Sequence, residues 1–161
     1  MVWLEGNSAE ADSEPIVGYR RGRGTHDVVD LDRAESLRLI AGATYGRVVF
    51  TRDALPAIRP VCHLVEDGRI ILRTRITSRL TGVVRSEVRV VVAYEVDEID
   101  PVTHTGWAVV VTGLAEAITD PVRIARYERL LRPWMDRSLD TVIAIDPSMI
   151  EGVRLLESGP L

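Results

Sequence analysis

The stretch Arg69-Ile70-Ile71-Leu72-Arg73-Thr74-Arg75-Ile76-Thr77-Ser78-Arg79-Leu80 runs from an isoleucine- and leucine-rich strand into guanidinium and hydroxyl groups. Such groups do one kind of chemistry well: they hold an anion. Thr74, Thr77 and Ser78 offer donors where the chain turns, and Ser78 is placed to cap a short helix through Val83. Free N–H groups at that helix start would add to the arginine charge in favouring a phosphate. Taken alone, the stretch reads equally well as a buried strand followed by a charged, solvated turn.

The positive charge is of a single kind, since all 20 basic residues are arginine. Anion recognition must therefore use the planar, bidentate guanidinium fork, and neither a Schiff-base lysine nor a phosphate-loop lysine is possible. A net charge of −4 argues against a general nucleic-acid binder. No stretch approaches the ~20 consecutive apolar residues of a membrane-spanning helix, and residues 1–27 lack the apolar centre of a signal peptide, so a soluble, cytoplasmic protein is expected. Cys62, the single cysteine, excludes an intrachain disulfide and a multi-cysteine zinc site.

Other reactive residues carry less. Glu95, Asp97, Glu98 and Asp100 could ligate a hard cation, but a solvated acidic turn explains them better, and no metal site is expected. His63 falls mid-strand with no second histidine at ligand spacing, which predicts a packed or hydrogen-bonded ring. Cys62 shares the parity of Leu64 and is expected in the core. His26 and His104 fall in expected loops. No nucleophile elbow and no dinucleotide-binding glycine fingerprint is present.

At 161 residues the chain has the length of one domain. Residues 1–27 show no sustained periodicity and read as an arm, with the domain spanning 28–161. Asp32 and Glu35 signal a helix start, Ala34, Leu37 and Ile40-Ala41 recur on one face, and Gly42 ends it. Strands follow at Gly46–Thr51, Ala57–Val65 and Arg69–Thr74, with turns at Asp53–Pro56 and Glu66–Gly68. A two-residue loop at Asp67-Gly68 pairs Glu66 with Arg69, which sets Val61 opposite Thr74 and puts Arg59 and Thr74 on one face, with Arg73 on the other. Valine-rich Val88–Val96 leads into an acidic turn at Asp97–Pro101. Gly106–Thr119 is a second long strand, and its Gly113 permits a bulge. Asp120-Pro121 opens a helix to about Arg132 that docks through Ile124, Tyr127 and Leu131. Thr141–Ile145 and Val153–Glu157 are short late strands, with a turn at Asp146-Pro147-Ser148 after the first. Strands dominate without strict β-α-β alternation, so a mainly β fold is expected, an antiparallel barrel with peripheral helices.

Arg59-Pro60-Val61, Arg73-Thr74 with Ser78-Arg79-Leu80, Glu95-Val96-Asp97, Gly106-Trp107-Ala108-Val109 with Gly113, and Arg132-Pro133-Trp134 occur in an order that resembles the pyridoxamine 5′-phosphate oxidase-like family of flavin-binding split barrels. The resemblance covers about residues 28–156. It implies a six-stranded split β-barrel, a homodimer, and flavin mononucleotide in a groove between subunits. It assigns Arg59, Thr74, Ser78 and Arg79 to the flavin phosphate, puts Arg73 and Val61 beside them, and suggests that the Trp107 indole lies near the flavin. A core tryptophan is at least as good a reading of Trp107 among its valines. Arg79 replaces the lysine more usual in the family, which keeps the charge and changes its geometry. The implied activity is that of an oxidoreductase acting on a small molecule, with the cofactor performing hydride or electron transfer and no catalytic side chain assigned. The deazaflavin F420 is the alternative cofactor, and a non-catalytic cofactor-binding or stress-related module the alternative role. The fold does not identify the substrate.

Overall fold

The computed structural model describes residues 26–74, 89–131 and 141–157. Strand β1 (His26–Leu31) precedes helix α1 (Arg33–Gly42), whose start is fixed by the Asp32 carboxylate accepting from the Glu35 N–H at 2.8 Å. β1 straddles residue 27, where the arm was expected to end, and was not anticipated. Strands β2 (Tyr45–Arg52), β3 (Leu55–Glu66) and β4 (Arg69–Thr74) follow as successive hairpins. Both hairpins use two-residue loops with positive φ throughout, 50° and 62° at Asp53-Ala54 and 52° and 73° at Asp67-Gly68. That is the geometry whose twist matches paired strands. Leu55 and Pro56, expected in a turn, therefore already belong to β3. The second loop sets the expected register, Glu66 opposite Arg69 and His63 opposite Leu72.

Strand β5 (Val90–Ile99) pairs along its length with β6 (Gly106–Ala117). Asp97, Glu98 and Ile99 continue β5, and the turn comes later, where the Asp100 carboxylate accepts from the N–H groups of Val102 and Thr103 at 2.7 and 3.0 Å. Helix α2 (Pro121–Leu130) has Asp120 as its cap, and strand β7 (Thr141–Glu157) closes the fold. β7 is one strand of 17 residues and not two. Asp146-Pro147-Ser148 forms no turn; it is the site of a bulge opposite Gly113, where the β6–β7 register shifts. A Cβ on Gly113 would lie 2.2 Å from the Asp146 carbonyl oxygen, so only glycine lets the two backbones approach here.

The sheet order is β1-β7-β4-β3-β2-β5-β6, and β6 also pairs with β7. β2 through β7 thus close into a six-stranded antiparallel ring, with β1 added beside the second half of β7. The fold is mainly β, a split barrel with two described helices. Val48, Val61, Leu72, Tyr94, Val109, Val111 and Ile145 fill the interior, and Ile40 of α1 joins them. A separate cluster forms where α2 covers the outside of β4 and β7, uniting Ile71, Val142 and Ala144 with Ile118, Tyr127 and Leu131. Docking through Tyr127 and Leu131, with Ile124 partly buried, is as the periodicity predicts. Among the described residues no helix is long and apolar enough to cross a membrane.

Candidate functional site

The β3–β4 ladder stops at His63–Leu72. Beyond it β4 continues against β7, with Arg73 opposite Val142 and Thr74 opposite Thr141, while β3 continues against β2. The sheet therefore parts between these strands, and Val61 and Thr74, expected to face each other, border the opening without being paired. Pro56 and Pro60 fall in the stretch of β3 whose partner among the described residues is β2 alone. A missing N–H is tolerated on such an edge.

Alternation carries Arg59, Val61 and His63 to the inner face of β3, and Ile70, Leu72 and Thr74 to the inner face of β4. Val61 and Thr74 are buried, Thr74 at 4% exposure. The Arg59 guanidinium stands 5.5 Å from the centre of the Phe50 ring, which stacks it at the lip of the opening. A charged fork and a hydroxyl thus share one face beside a parting of the sheet. Arg73 lies on the opposite face with Ile71, half-buried, and its Nε is buried without a hydrogen-bond partner. It is not brought together with Arg59 and Thr74. Ser78, Arg79 and the Arg132-Pro133-Trp134 run lie outside the described residues. Trp107 is buried in the barrel interior among valines.

The acidic group has a structural explanation. One Arg47 guanidinium nitrogen donates to Glu95 at 2.8 Å and to Asp97 at 2.7 Å. Partial burial, reinforced by Asp97, still raises the Glu95 carboxyl above its ordinary range despite that pairing. No metal-ligating group of acidic residues, histidines and cysteine occurs among the described residues.

His63 is packed and hydrogen-bonded, as expected, but sequence reasoning did not name its partners. Its Nε2 lies 2.6 Å from the Ile40 carbonyl, and its Nδ1 lies 2.7 Å from the Tyr94 hydroxyl. A carbonyl can only accept, so Nε2 carries the proton, Nδ1 accepts, and Tyr94 donates. Burial holds the imidazole below its ordinary value, with the bond to Ile40 opposing the shift. Burial likewise pushes the Tyr94 phenol up. The available signal was a single phenol at inward parity in a valine-rich strand, since a buried tyrosine hydroxyl requires a partner. Cys62, expected in the core, is only half-buried, on the outer face of β3, and burial raises its thiol.

Comparison with known proteins bears on this arrangement. The family model for pyridoxamine 5′-phosphate oxidase matches residues 32–155. The chain is 54% identical over 143 residues to an uncharacterized Mycobacterium tuberculosis protein, Rv0080, covering 86% of this chain and 94% of that protein. A Corynebacterium glutamicum structure provisionally assigned as a pyridoxamine 5′-phosphate oxidase superposes with a TM-score of 0.66 at 28% identity, over 81% of this chain and 99% of the other. An FAD-binding protein from Mycobacterium smegmatis gives 0.62 at 26% identity, over 81% and 100% respectively.

Proposed function

The chain belongs to the pyridoxamine 5′-phosphate oxidase family, and from that premise we propose that it is a cytoplasmic, homodimeric flavoprotein that binds flavin mononucleotide at the β3–β4 opening and passes hydride or electrons to a small molecule. The observation that carries this reading is the placement of Arg59 and Thr74 on one face at the parting of the sheet. Their donors suit a phosphate, because a dianion calls for charged forks supplemented by hydroxyls. Ser78 and Arg79 follow in the chain and extend the set. When bound, the flavin supplies the redox chemistry, and the chain's own residues hold and orient it.

The homodimer reading is supported by the outside of the β3-β2-β5 sheet. Ile58 pairs with Val49 and Val49 with Ala93, and Val91 follows on the same face. Ile58 is 63% and Val91 65% exposed, so among the described residues this apolar strip lacks a cover of the kind a second subunit would provide.

Titrating flavin mononucleotide and riboflavin against the wild type, Arg59→Ala and Arg79→Ala tests the site. Each substitution is expected to weaken flavin mononucleotide roughly ten- to a hundredfold, about 1.5–3 kcal/mol for a charge-assisted hydrogen bond, and to leave riboflavin unchanged. Equal losses for both ligands would mean that these arginines support the fold and not the phosphate. A colourless protein that binds F420 would overturn the choice of cofactor.

A further inference from the structure

Tyr94 begins on β5, where its backbone pairs with Val48 of β2, yet its hydroxyl reaches β3. Its side chain passes beneath β2 at Gly46, where a Cβ would lie 2.6 Å from the phenol oxygen. At its tip the hydroxyl meets His63 Nδ1 at 2.7 Å and lies 3.5 Å from the Val61 carbonyl. The His63 ring stands edge-on to the phenol, 79° between planes, and passes the connection to the Ile40 carbonyl near the end of α1. All this lies directly under Arg59–Val61, the part of β3 where β4 has departed and β2 is the one described neighbour.

A strand with one partner keeps its position along the ladder but is free to tilt about it. A buried strut from β5, two strands over, removes that freedom. We propose that Tyr94 and His63 are positioning residues for the Arg59–Val61 lip, fixing its tilt relative to α1 and the barrel floor and thereby setting the affinity of the site although neither touches the ligand. The effect on affinity rests on the lip being the cofactor edge, whereas the effect on the lip's own mobility does not.

Amide hydrogen exchange and ligand titration on full-length Tyr94→Phe, His63→Gln and His63→Leu test this. Tyr94→Phe removes one hydroxyl, and His63→Leu removes both ring contacts. The glutamine amide keeps one donor for Ile40 and one acceptor for Tyr94. Exchange is expected to quicken about tenfold, the equivalent of one hydrogen bond, at residues 57–63 and 38–43 in Tyr94→Phe and His63→Leu, with residues 107–112 of β6 nearly unchanged. Flavin mononucleotide and riboflavin should weaken together, several-fold, because the whole lip moves. His63→Gln should restore both properties towards wild type. Equal acceleration in all three segments, or none at 57–63, would overturn the positioning role. A wild type that binds no flavin would remove the cofactor reading and leave the exchange result standing. Should Tyr94→Phe not fold, His63→Leu against His63→Gln decides the same point.

Discussion

Between His63 and Glu66, strand β3 is paired to β4, turns on Asp67-Gly68, and is tied to α2 through Glu66, which accepts from Arg126 and the Tyr127 hydroxyl. Between Leu55 and Pro60 the same strand has β2 beside it, begins at Asp53-Ala54, and leaves Leu55 and Ile58 exposed. The apolar content differs little; the number of covering layers does. One half is covered by described residues, and the other leaves a similar apolar content exposed among them, as a surface to be completed by something else would. Stability should therefore reside in the first half, and assembly and ligand binding in the second.

The largest contrast is expected between the covers. Leu131→Ala empties a buried position at the C-cap of α2 and should cost on the order of 2–5 kcal/mol, seen as a lower unfolding midpoint. A midpoint unchanged by that substitution would show that α2 is not what seals this side.

Next comes pH. In the native state His63 is held below its ordinary value, so the unfolded chain binds more protons as pH falls from about 6.5, and the stability present above that value is lost on acidification at no more than about 1.4 kcal/mol per pH unit. Glu95, raised in the native state, acts with the opposite sign above the ordinary carboxylate range. The difference between wild type and His63→Gln isolates the histidine: denaturant midpoints from pH 7.5 to 5 should slope less in the variant. Parallel slopes would mean that the ring titrates alike in both states.

The two turns offer a smaller contrast. Ala54 sits at φ 62°, where a Cβ is strained and glycine is not. Ala54→Gly should stabilise by about 0.5–1 kcal/mol after the added freedom of the unfolded chain is discounted. Gly68→Ala, at φ 73°, should move the midpoint the other way. The smallest effect on the folded chain belongs to Ile58→Glu, within about 0.5 kcal/mol at an exposed position. In light scattering that variant should nevertheless give half the wild-type mass. A monomeric wild type would end the homodimer proposal.

How much of this was legible depended on how far apart the deciding residues lie in the chain. Asp67-Gly68 announced its own hairpin and register, and Asp32 and Asp120-Pro121 their own helix starts, because each signal is complete within a few residues. Asp146-Pro147-Ser148 misled for the same reason. Its composition is that of a turn, and only Gly113, pressed against it from β6, makes it a bulge in a continuous strand. The inner face joining Arg59 and Thr74 followed from alternation, but the parting of the sheet that leaves Val61 and Thr74 unpaired did not. The strut from Tyr94 to His63 spans β5 to β3 and leaves no periodic trace. Arg73 shows the converse: alternation already set it apart from Thr74, and the structure keeps it there.

Pro56 and Pro60 bear on solubility as well as on the opening. An edge with a full row of N–H donors invites a strand from another molecule, and successive additions build aggregates. Two prolines spaced four positions apart share one side of β3, so an incoming strand would find its ladder interrupted at both. Replacing both by valine should leave β2 pairing intact and make the protein precipitate more readily on concentration, because the edge proposed to admit a ligand would then also admit its neighbours.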